Sequence, residues 1–187
     1  VDVTDTLTLI TATPDVSGTV SVNADGVSID YTPAADFNGA EVITYTVSDG
    51  TATSTGTLII TVTAVNDAPV AVSDTATVLE DSAITNIDVV SNDTDVDVTD
   101  TLTLITAIAD GFGTVSVNAD GVSVDYTPAA NFNGTGTITY TVSDGTDTST
   151  GTLIITVTAV NDAPVAVSDT ATVLEDSALT NIDVVSN

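Results

Sequence analysis

Acidic side chains recur at alternate positions in one short stretch of the sequence, at Asp93, Asp95 and Asp97. On a bend, this alternation places carboxylates within reach of a single ion. Calcium binds six to eight hard oxygen atoms and accepts backbone carbonyl oxygens among them. The stretch therefore predicts a calcium site, although Asp residues also favour turns and keep a sheet edge soluble without any metal.

Further acidic and amide residues are expected to gather at the two ends of a strand-built domain, because loops that leave the same end lie side by side. At the incoming end, where the chain enters the domain, Asp144 and the segment Asn66-Asp67 join the alternating stretch. At the outgoing end, Glu80 and Asp81 lie next to the following Asn-Asp pair. The candidate metal ligands are Asn66, Asp67, Asp93, Asp95, Asp97 and Asp144 at the incoming end, and Glu80, Asp81, Asn161 and Asp162 at the outgoing end.

The charge of the chain excludes several classes of partner. The 187 residues include 27 acidic side chains and no Lys, Arg or His, for a formal net charge of −27. Nucleic acids and anionic membrane surfaces are excluded because no cation is present to meet a phosphate. Uncompensated carboxylates repel one another, and divalent cations are the expected neutralising partner.

The same composition argues against catalysis. Without His, Cys, Lys or Arg, most nucleophile–base pairs and oxyanion-stabilising groups are unavailable. Two carboxylates could hydrolyse a glycosidic bond, but nothing in the sequence places an acid with a raised pKa in a cleft. We therefore expect that the chain is not an enzyme.

An internal repeat organises the whole chain. The joint Val65–Pro69 returns as Val160–Pro164, 95 positions later, and residues 1–92 match residues 96–187 at 81 of 92 positions. A fixed period with a proline-bearing acidic joint predicts tandem domains. The near-identity indicates that neither copy is individually specialised. The predicted domains are the last two-thirds of a repeat (1–64), a complete repeat (65–159) and the first third of another (160–187), as in a window of two periods cut from a continuous array.

Short segments that alternate apolar and polar residues, rich in Thr and Val, predict strands throughout the complete repeat. The segment Asn118-Ala119-Asp120-Gly121 separates two of them, and its Asp-Gly pair predicts a tight hairpin. Seven strands are predicted between residues 65 and 159, with no helical periodicity. The predicted fold class is all-β, with tandem immunoglobulin-like, seven-strand antiparallel sandwiches.

Two motifs carry a resemblance to a known family. Tyr126–Gly134 (YTPAANFNG) and Thr139–Gly145 (TYTVSDG) are similar to the signature of bacterial cadherin-like tandem repeats, and the first copy repeats them at Tyr31–Gly39 and Thr44–Gly50. Such tandem-95 repeats are extender domains of giant RTX-type adhesins and related surface proteins. The resemblance implies cadherin-like joints, at which calcium is held by an outgoing Glu, the linker and the next domain's Asp-x-Asp. No Gly-Gly-x-Gly-x-Asp nonapeptide is present, so the RTX β-roll is not expected in this segment.

Three functions follow as hypotheses. The first is an extracellular structural spacer, a calcium-stiffened rod on a bacterial or archaeal cell surface, where millimolar calcium suits a weak site. The second is a filament subunit, in which residues 160–187 complete the sandwich begun by residues 1–64 of a neighbouring copy, head to tail. The third is a glycan-binding adhesive module. The expected partners are neighbouring repeats of the same chain or neighbouring copies.

Overall fold

The computed structural model describes residues 6–185, and within that range every regular element is a β-strand. The predicted domain limits Val1 and Asn187 lie outside the described residues. The strands are β1 (Thr8–Pro14), β2 (Thr19–Val22), β3 (Ile29–Thr32), β4 (Gly39–Ser48), β5 (Thr53–Val62), β6 (Asp74–Leu79), β7 (Ile84–Asp88), β8 (Thr103–Ala109), β9 (Gly113–Val117), β10 (Ser123–Pro128), β11 (Gly134–Ser143) and β12 (Thr148–Thr158).

Strands β6–β12 form a sandwich, here called the complete unit (residues 65–159). One sheet has the strand order β6-β12-β11-β8 and the other has the order β7-β10-β9. The core between them consists of Val78, Val89, Val90, Leu104, Val124, Tyr126, Ile138, Tyr140, Val142, Leu153, Ile155 and Val157. The prediction of an all-β sandwich is confirmed.

The alternation of side chains in the two longest strands explains where the core lies. In β11 the buried positions are Gly136, Ile138, Tyr140 and Val142, each separated by a more exposed Thr. Successive side chains of a strand point to opposite faces of the sheet, so the apolar set faces inward. Thr therefore covers the outer face, and the sequence pattern alone specifies which face is buried.

One strand pair differs from the antiparallel expectation. β6 pairs with β12 in parallel, from Leu153 opposite Asp74 to Thr158 opposite Leu79, whereas the other pairs between named strands are antiparallel. The physical reason is the path of the chain. β6 follows the incoming joint and β12 precedes the outgoing one, so both run in the same direction along the unit.

Strands β1–β5 form a second, incomplete sandwich, here called the first unit (residues 6–64). Its sheets are β1-β4-β5 and β2-β3, which are equivalent in sequence to β8-β11-β12 and β9-β10. No described residues occupy the places that β6 and β7 take in the complete unit. As a result Leu58 is 40% exposed, whereas its counterpart Leu153 is 0% exposed.

Residues 160–185 follow the complete unit and are here called the tail. Within this range no strand or helix is formed, apart from a turn at Glu175-Asp176, and every side chain is exposed. The sequence of the tail is that of β6 and β7 with their flanking loops. The described chain therefore holds one closed sandwich, one open sandwich, and one copy of the strand pair that the open sandwich lacks.

Candidate functional site

Side chains of the complete unit hold the joint at its incoming end. Asn66 Nδ2 donates hydrogen bonds to Asp144 Oδ2 (3.0 Å) and Asp147 Oδ2 (2.9 Å). The backbone N–H of Asp67 donates to Asp97 Oδ2 (2.8 Å). Of the predicted ligands, Asn66 therefore lies beside Asp144, and Asp67 beside Asp97, at the same end of the unit.

The loop between β11 and β12 fixes the position of Asp144. Its Oδ1 atom accepts hydrogen bonds from the backbone N–H groups of Thr146 (2.6 Å) and Asp147 (2.7 Å). These donors, with the amide of Asn66, hold the pKa of Asp144 below its usual range. Asp144 is therefore ionised and rigidly oriented, with its second oxygen facing the joint.

Asp93 lies deeper in the same end of the unit. Its Oδ1 atom accepts a hydrogen bond from the backbone N–H of Val72 (2.7 Å), and Tyr140 Oη lies 3.4 Å away. Tyr140 Oη also donates to the carbonyl oxygen of Val72 (2.6 Å) and lies 3.0 Å from Asp74 Oδ2. Burial raises the pKa of both carboxyl groups, Asp74 and Asp93, above their usual range.

Two carboxylate oxygens in this region are buried without a partner. Asp93 Oδ2 and Asp95 Oδ2 make no hydrogen bond with the described residues. The other oxygen of Asp95 accepts a hydrogen bond from the backbone N–H of Asp97 (2.9 Å), which fixes the bend. Buried polar atoms are nearly always paired, so these two oxygens are places where a cation or water molecule would be stabilised.

The outgoing end is arranged differently. Glu80 is buried, and its Oε1 atom accepts a hydrogen bond from the backbone N–H of Val160 (2.6 Å) while Oε2 accepts from Asn133 Nδ2 (3.2 Å). Asp81 Oδ1 accepts from the backbone N–H of Asn131 (3.1 Å). These two residues therefore tie the crossing loop and the outgoing chain to β6.

The Asn161 and Asp162 side chains of the outgoing joint, Val160–Pro164, make no hydrogen bond to Glu80 or Asp81 in the described part of the chain. Asn161 Nδ2 donates to the carbonyl oxygen of its neighbour Asp162 (3.1 Å), and both side chains are exposed. The counterparts of Asp93, Asp95 and Asp97 for this joint lie beyond the described residues. Of the predicted outgoing ligands, Glu80 and Asp81 have partners in the complete unit, whereas the hydrogen bond of the Asn161 side chain stays within the joint.

A polar pocket of about 310 Å³ lies between the first unit and the incoming end of the complete unit. Its carboxylates are Asp36, from the crossing loop of the first unit, and Asp67 and Asp97 from the joint and the complete unit. The remaining lining consists mainly of the linker, residues 62–65. This pocket is the place where the two units and the joint contribute acidic groups together.

The fit of this junction to a metal ion is incomplete as the residues stand. Within residues 6–185 no group of three or more acidic side chains is close enough to hold a metal ion. Asn66 uses its amide to bridge Asp144 and Asp147 instead of presenting an oxygen. What fits a cation is the pair of unpartnered buried oxygens and the acid-lined pocket. Calcium would need Asp36, Asp67 and Asp97 to converge.

Three residues of this region were missed by sequence reasoning. Asp147 and Asp36 occupy two of the eleven positions at which the copies differ, where the other copy has Ala52 and Asn131. Those differences were the signal that could have identified them, because each places an extra carboxylate at the end of one unit only. Asp74 gave no such signal, since it is the same in every copy.

Comparison with known proteins supports the assignment of the fold. A sequence profile of the bacterial Ig domain family matches residues 1–61 and 66–156. No curated protein matches the chain. The solved structure of human protocadherin-24 EC1-2 is similar over 87% of this chain and 85% of that chain, with a TM-score of 0.52 and 16% identity. This likeness supports the cadherin-like fold.

Other solved structures are more distant. An endo-fucoidan hydrolase of glycoside hydrolase family 107 is similar over 84% of this chain with 24% identity and a TM-score of 0.39. Domains 4–9 of the surface layer protein SbsC are similar over 79% of this chain, with 19% identity and a TM-score of 0.34. The chain spans 24% of the length of the hydrolase and 21% of the surface layer protein.

Bacterial Ig domains are a non-catalytic type of module and typically belong to extracellular or surface proteins. Residues 6–185 contain no helix with the length and apolarity that a membrane crossing requires. The predicted resemblance to bacterial cadherin-like repeats is confirmed by the family match over both units and by the likeness to a cadherin domain pair. The chain belongs to the bacterial Ig domain family.

Proposed function

We propose that the chain is an extracellular structural spacer, a rod of tandem sandwiches whose joints are stiffened by calcium, in a surface adhesin or filament. The observation that carries this proposal is the joint itself. Asn66 and Asp67 are hydrogen-bonded onto the incoming end of the complete unit, next to a pocket that both units line with carboxylates. A site shared by two units restrains the angle between them when it is filled.

The charge balance supports a cation at the joint. The sequence has 27 acidic residues and no basic one, so no side chain can neutralise the carboxylates of the junction. Asp36, Asp67 and Asp97 face one pocket, and their repulsion favours a bent or open joint. A divalent cation would replace that repulsion by attraction to a common centre.

The topology suits a load-bearing role. The chain enters the complete unit through β6 and leaves it through β12, and these strands are parallel neighbours with six paired residues. A pull on the two ends therefore loads the hydrogen bonds between the strands in shear, all at once. The absence of His, Cys, Lys and Arg agrees with a mechanical role in place of a catalytic one.

The proposal is tested by measuring shape and stability with calcium and with chelator. For a site with a dissociation constant near 1 mM, ten millimolar calcium should stabilise the loaded state by about 1.4 kcal/mol. We expect a higher melting temperature and a larger radius of gyration in small-angle scattering. The double variant Asp67→Asn with Asp97→Asn should lose both responses.

A matched control removes a charge away from the junction. Asp30 lies exposed in β3, and Asp30→Asn should keep the full calcium response. Identical melting and identical scattering curves in calcium and in chelator would contradict the stiffening. A response that survives in the double variant would place the cation elsewhere.

A further inference from the structure

The joint is anchored to the complete unit by one amide group that lies between two carboxylates. Asn66 Nδ2 donates hydrogen bonds to Asp144 Oδ2 (3.0 Å) and to Asp147 Oδ2 (2.9 Å). Both acceptors belong to the turn between β11 and β12. Two atoms that each lie within 3.0 Å of a third atom are at most twice that distance apart. The amide therefore holds two like charges close together.

The orientation of the Asn66 side chain follows from the charges around it. The nitrogen of an amide carries two N–H donors, whereas its oxygen is only an acceptor. An oxygen turned toward the two carboxylates would be repelled by both, while the nitrogen offers one N–H to each. The sequence has no Lys, Arg, His, Gln or Trp, so Asn is the only residue type in it whose side chain carries an N–H donor.

The side chain of Asp147 is not needed for the turn in which it lies. In the first unit the backbone N–H of Ala52, the counterpart of Asp147, donates to Asp49 Oδ1 (2.7 Å). In the complete unit the backbone N–H of Asp147 donates to Asp144 Oδ1 at the same distance, 2.7 Å. The same turn thus forms with Ala or with Asp at this position, and the carboxylate of Asp147 serves the joint.

We propose that Asn66, Asp144 and Asp147 form a metal-free latch that anchors the joint to the complete unit, and that residue 147 sets the strength of this anchor. Asp147 is a positioning residue in this latch. A unit with Ala at the same place, as the first unit has at Ala52, offers its incoming joint one carboxylate in place of two. The latch acts when no cation is bound, so it goes beyond the calcium-stiffened spacer.

The latch shortens the free chain between the two units. β5 ends at Val62, so only three residues lie between that strand and the anchored Asn66. When Asn66 is released, the single hydrogen bond from the Asp67 N–H to Asp97 Oδ2 (2.8 Å) precedes the next backbone pairing, at Val70. The four residue steps to Asn66 reach at most about 14 Å, and the eight steps to Val70 reach about 29 Å. The latch therefore limits how far the first unit can swing.

The latch is tested in chelator by the order of the Asn66 side chain. We expect an NMR order parameter of about 0.85 for its amide group in the parent chain, and of about 0.6 or less in Asp147→Ala, where one acceptor is gone. Hydrogen exchange of the neighbouring Asp67 N–H should become about three- to tenfold faster in the variant, as for the loss of one exposed hydrogen bond to a charged group.

The matched control places the same carboxylate on the equivalent turn of the first unit. Ala52→Asp lies at the far end of β5 from the joint, and the 10 residues of that strand span roughly 33 Å. It should leave the order of Asn66 and the exchange of Asp67 unchanged. Each substitution introduces a residue that the other copy already has on the same turn, so both units should fold.

Variants of Asn66 test the donor. Asn66→Ala removes the two hydrogen bonds, and Asn66→Asp places a third carboxylate beside the first two. Spin labels at Thr11→Cys and Thr139→Cys, exposed strand positions in a chain without other cysteines, report the distance between the units. In chelator we expect the narrowest distribution of distances in the parent chain, a wider one in Asn66→Ala, and the widest in Asn66→Asp because like charges repel.

Two results would overturn the latch. The first is an Asp147→Ala variant with the order and exchange of the parent chain. The second is a parent chain whose joint is as loose in chelator as that of Asn66→Ala. A joint that is loose in chelator and ordered by calcium would overturn the latch alone. A latched joint with identical melting and scattering in calcium and in chelator would contradict the calcium stiffening alone, so the two proposals fail separately.

Discussion

The two units differ more in structure than in sequence. β5 and the first ten residues of β12 have the same sequence, Thr-Ser-Thr-Gly-Thr-Leu-Ile-Ile-Thr-Val, and pair with equivalent partners, β4 and β11. Yet Leu153 is enclosed and Leu58 lies open, because β6 pairs along the edge of β12 and no described strand pairs along the equivalent edge of β5. Burial in this fold is therefore conferred by the neighbouring strands and cannot be assigned to a strand by itself.

A second contrast concerns the loop after β1 in the first unit and the equivalent loop after β8 in the complete unit. Glu41 is buried in the first unit, and its carboxylate accepts hydrogen bonds from the backbone N–H groups of Asp15 (2.7 Å), Val16 (3.0 Å) and Ser17 (2.9 Å). The complete unit has Gly136 at that position. The loop there is held by Phe112, which stacks on Phe132 with ring centroids 4.7 Å apart.

These alternatives correct one expectation from the sequence. Neither copy was expected to be individually specialised, but the first unit combines Ser17 with Glu41, whereas the complete unit has Phe112 and Gly136 at the equivalent positions. One loop is fixed by a carboxylate and the other by a pair of aromatic rings. The physical reason is that a Glu without its N–H donors would be buried and unpaired, so Glu41 and its loop belong together.

The largest predicted difference between the units is the cost of truncating the same leucine. Leu153→Ala should lower the free energy of unfolding of the complete unit by about 2–5 kcal/mol, because it removes a fully buried side chain. Leu58→Ala should change the first unit by less than about 1 kcal/mol in dilute solution. Hydrogen exchange of peptides from β12 and β5 measures both. Equal losses would contradict the open first unit.

The next largest effect concerns Tyr140 in the complete unit and its counterpart Tyr45 in the first unit. Tyr140→Phe removes a hydroxyl that donates to the carbonyl of Val72 and should cost about 0.5–1.5 kcal/mol, the usual net contribution of one hydrogen bond. No described residue of the first unit corresponds to Val72. Tyr45→Phe should therefore be close to neutral in dilute solution, as measured by denaturation of the two variants side by side.

Glu41 predicts a pH dependence that is specific to the first unit. The backbone N–H of Val16, with those of Ser17 and Asp15, holds the pKa of Glu41 below its usual range. A carboxyl whose folded pKa is depressed contributes stability above its unfolded pKa and loses it as the pH falls through the folded pKa. Glu41→Gln should destabilise the first unit at neutral pH, and the difference from the parent should shrink on acidification. A constant difference would contradict this assignment.

Asp93 predicts the smallest effect, with the opposite sign. Burial raises its pKa, so the stability linked to its protonated form is present below its unfolded pKa and is lost as the pH rises through the folded pKa. Asp93→Asn keeps the acceptor for the N–H of Val72. In chelator, the variant should gain stability relative to the parent as the pH rises, measured by thermal melting. A relative loss with rising pH would show that the carboxylate is favoured where it lies.

Much of the fold could be predicted from the sequence because its signals are local. The Asp120-Gly121 pair predicted the hairpin, and the structure has Gly121 at a φ of 71° with its N–H bonded to the carbonyl of Asn118. The alternation of apolar residues with Thr predicted strands, and β11 has this pattern with Ile138, Tyr140 and Val142 buried. The parallel pairing of β6 was missed because it depends on which strands become neighbours, a property of the whole chain path.

The candidate site was only partly predictable for the same reason. Asn66 and Asp144 are 78 residues apart in sequence. They were predicted to lie at the same end of the unit because strand direction alone decides which loops leave that end. Strand direction does not predict the orientation of the side chains in those loops. The amide of Asn66 donates instead of presenting its oxygen, and Asp93 turns inward toward Tyr140. Whether calcium redirects these groups stays a prediction.

The most direct test of the account follows amide exchange in the two identical strand sequences of one protein, residues 53–62 and 148–157. We predict strong protection of 148–157 and much weaker protection of 53–62, because β6 pairs with β12 and no described strand pairs with the equivalent edge of β5. Equal protection of the two segments would contradict the account.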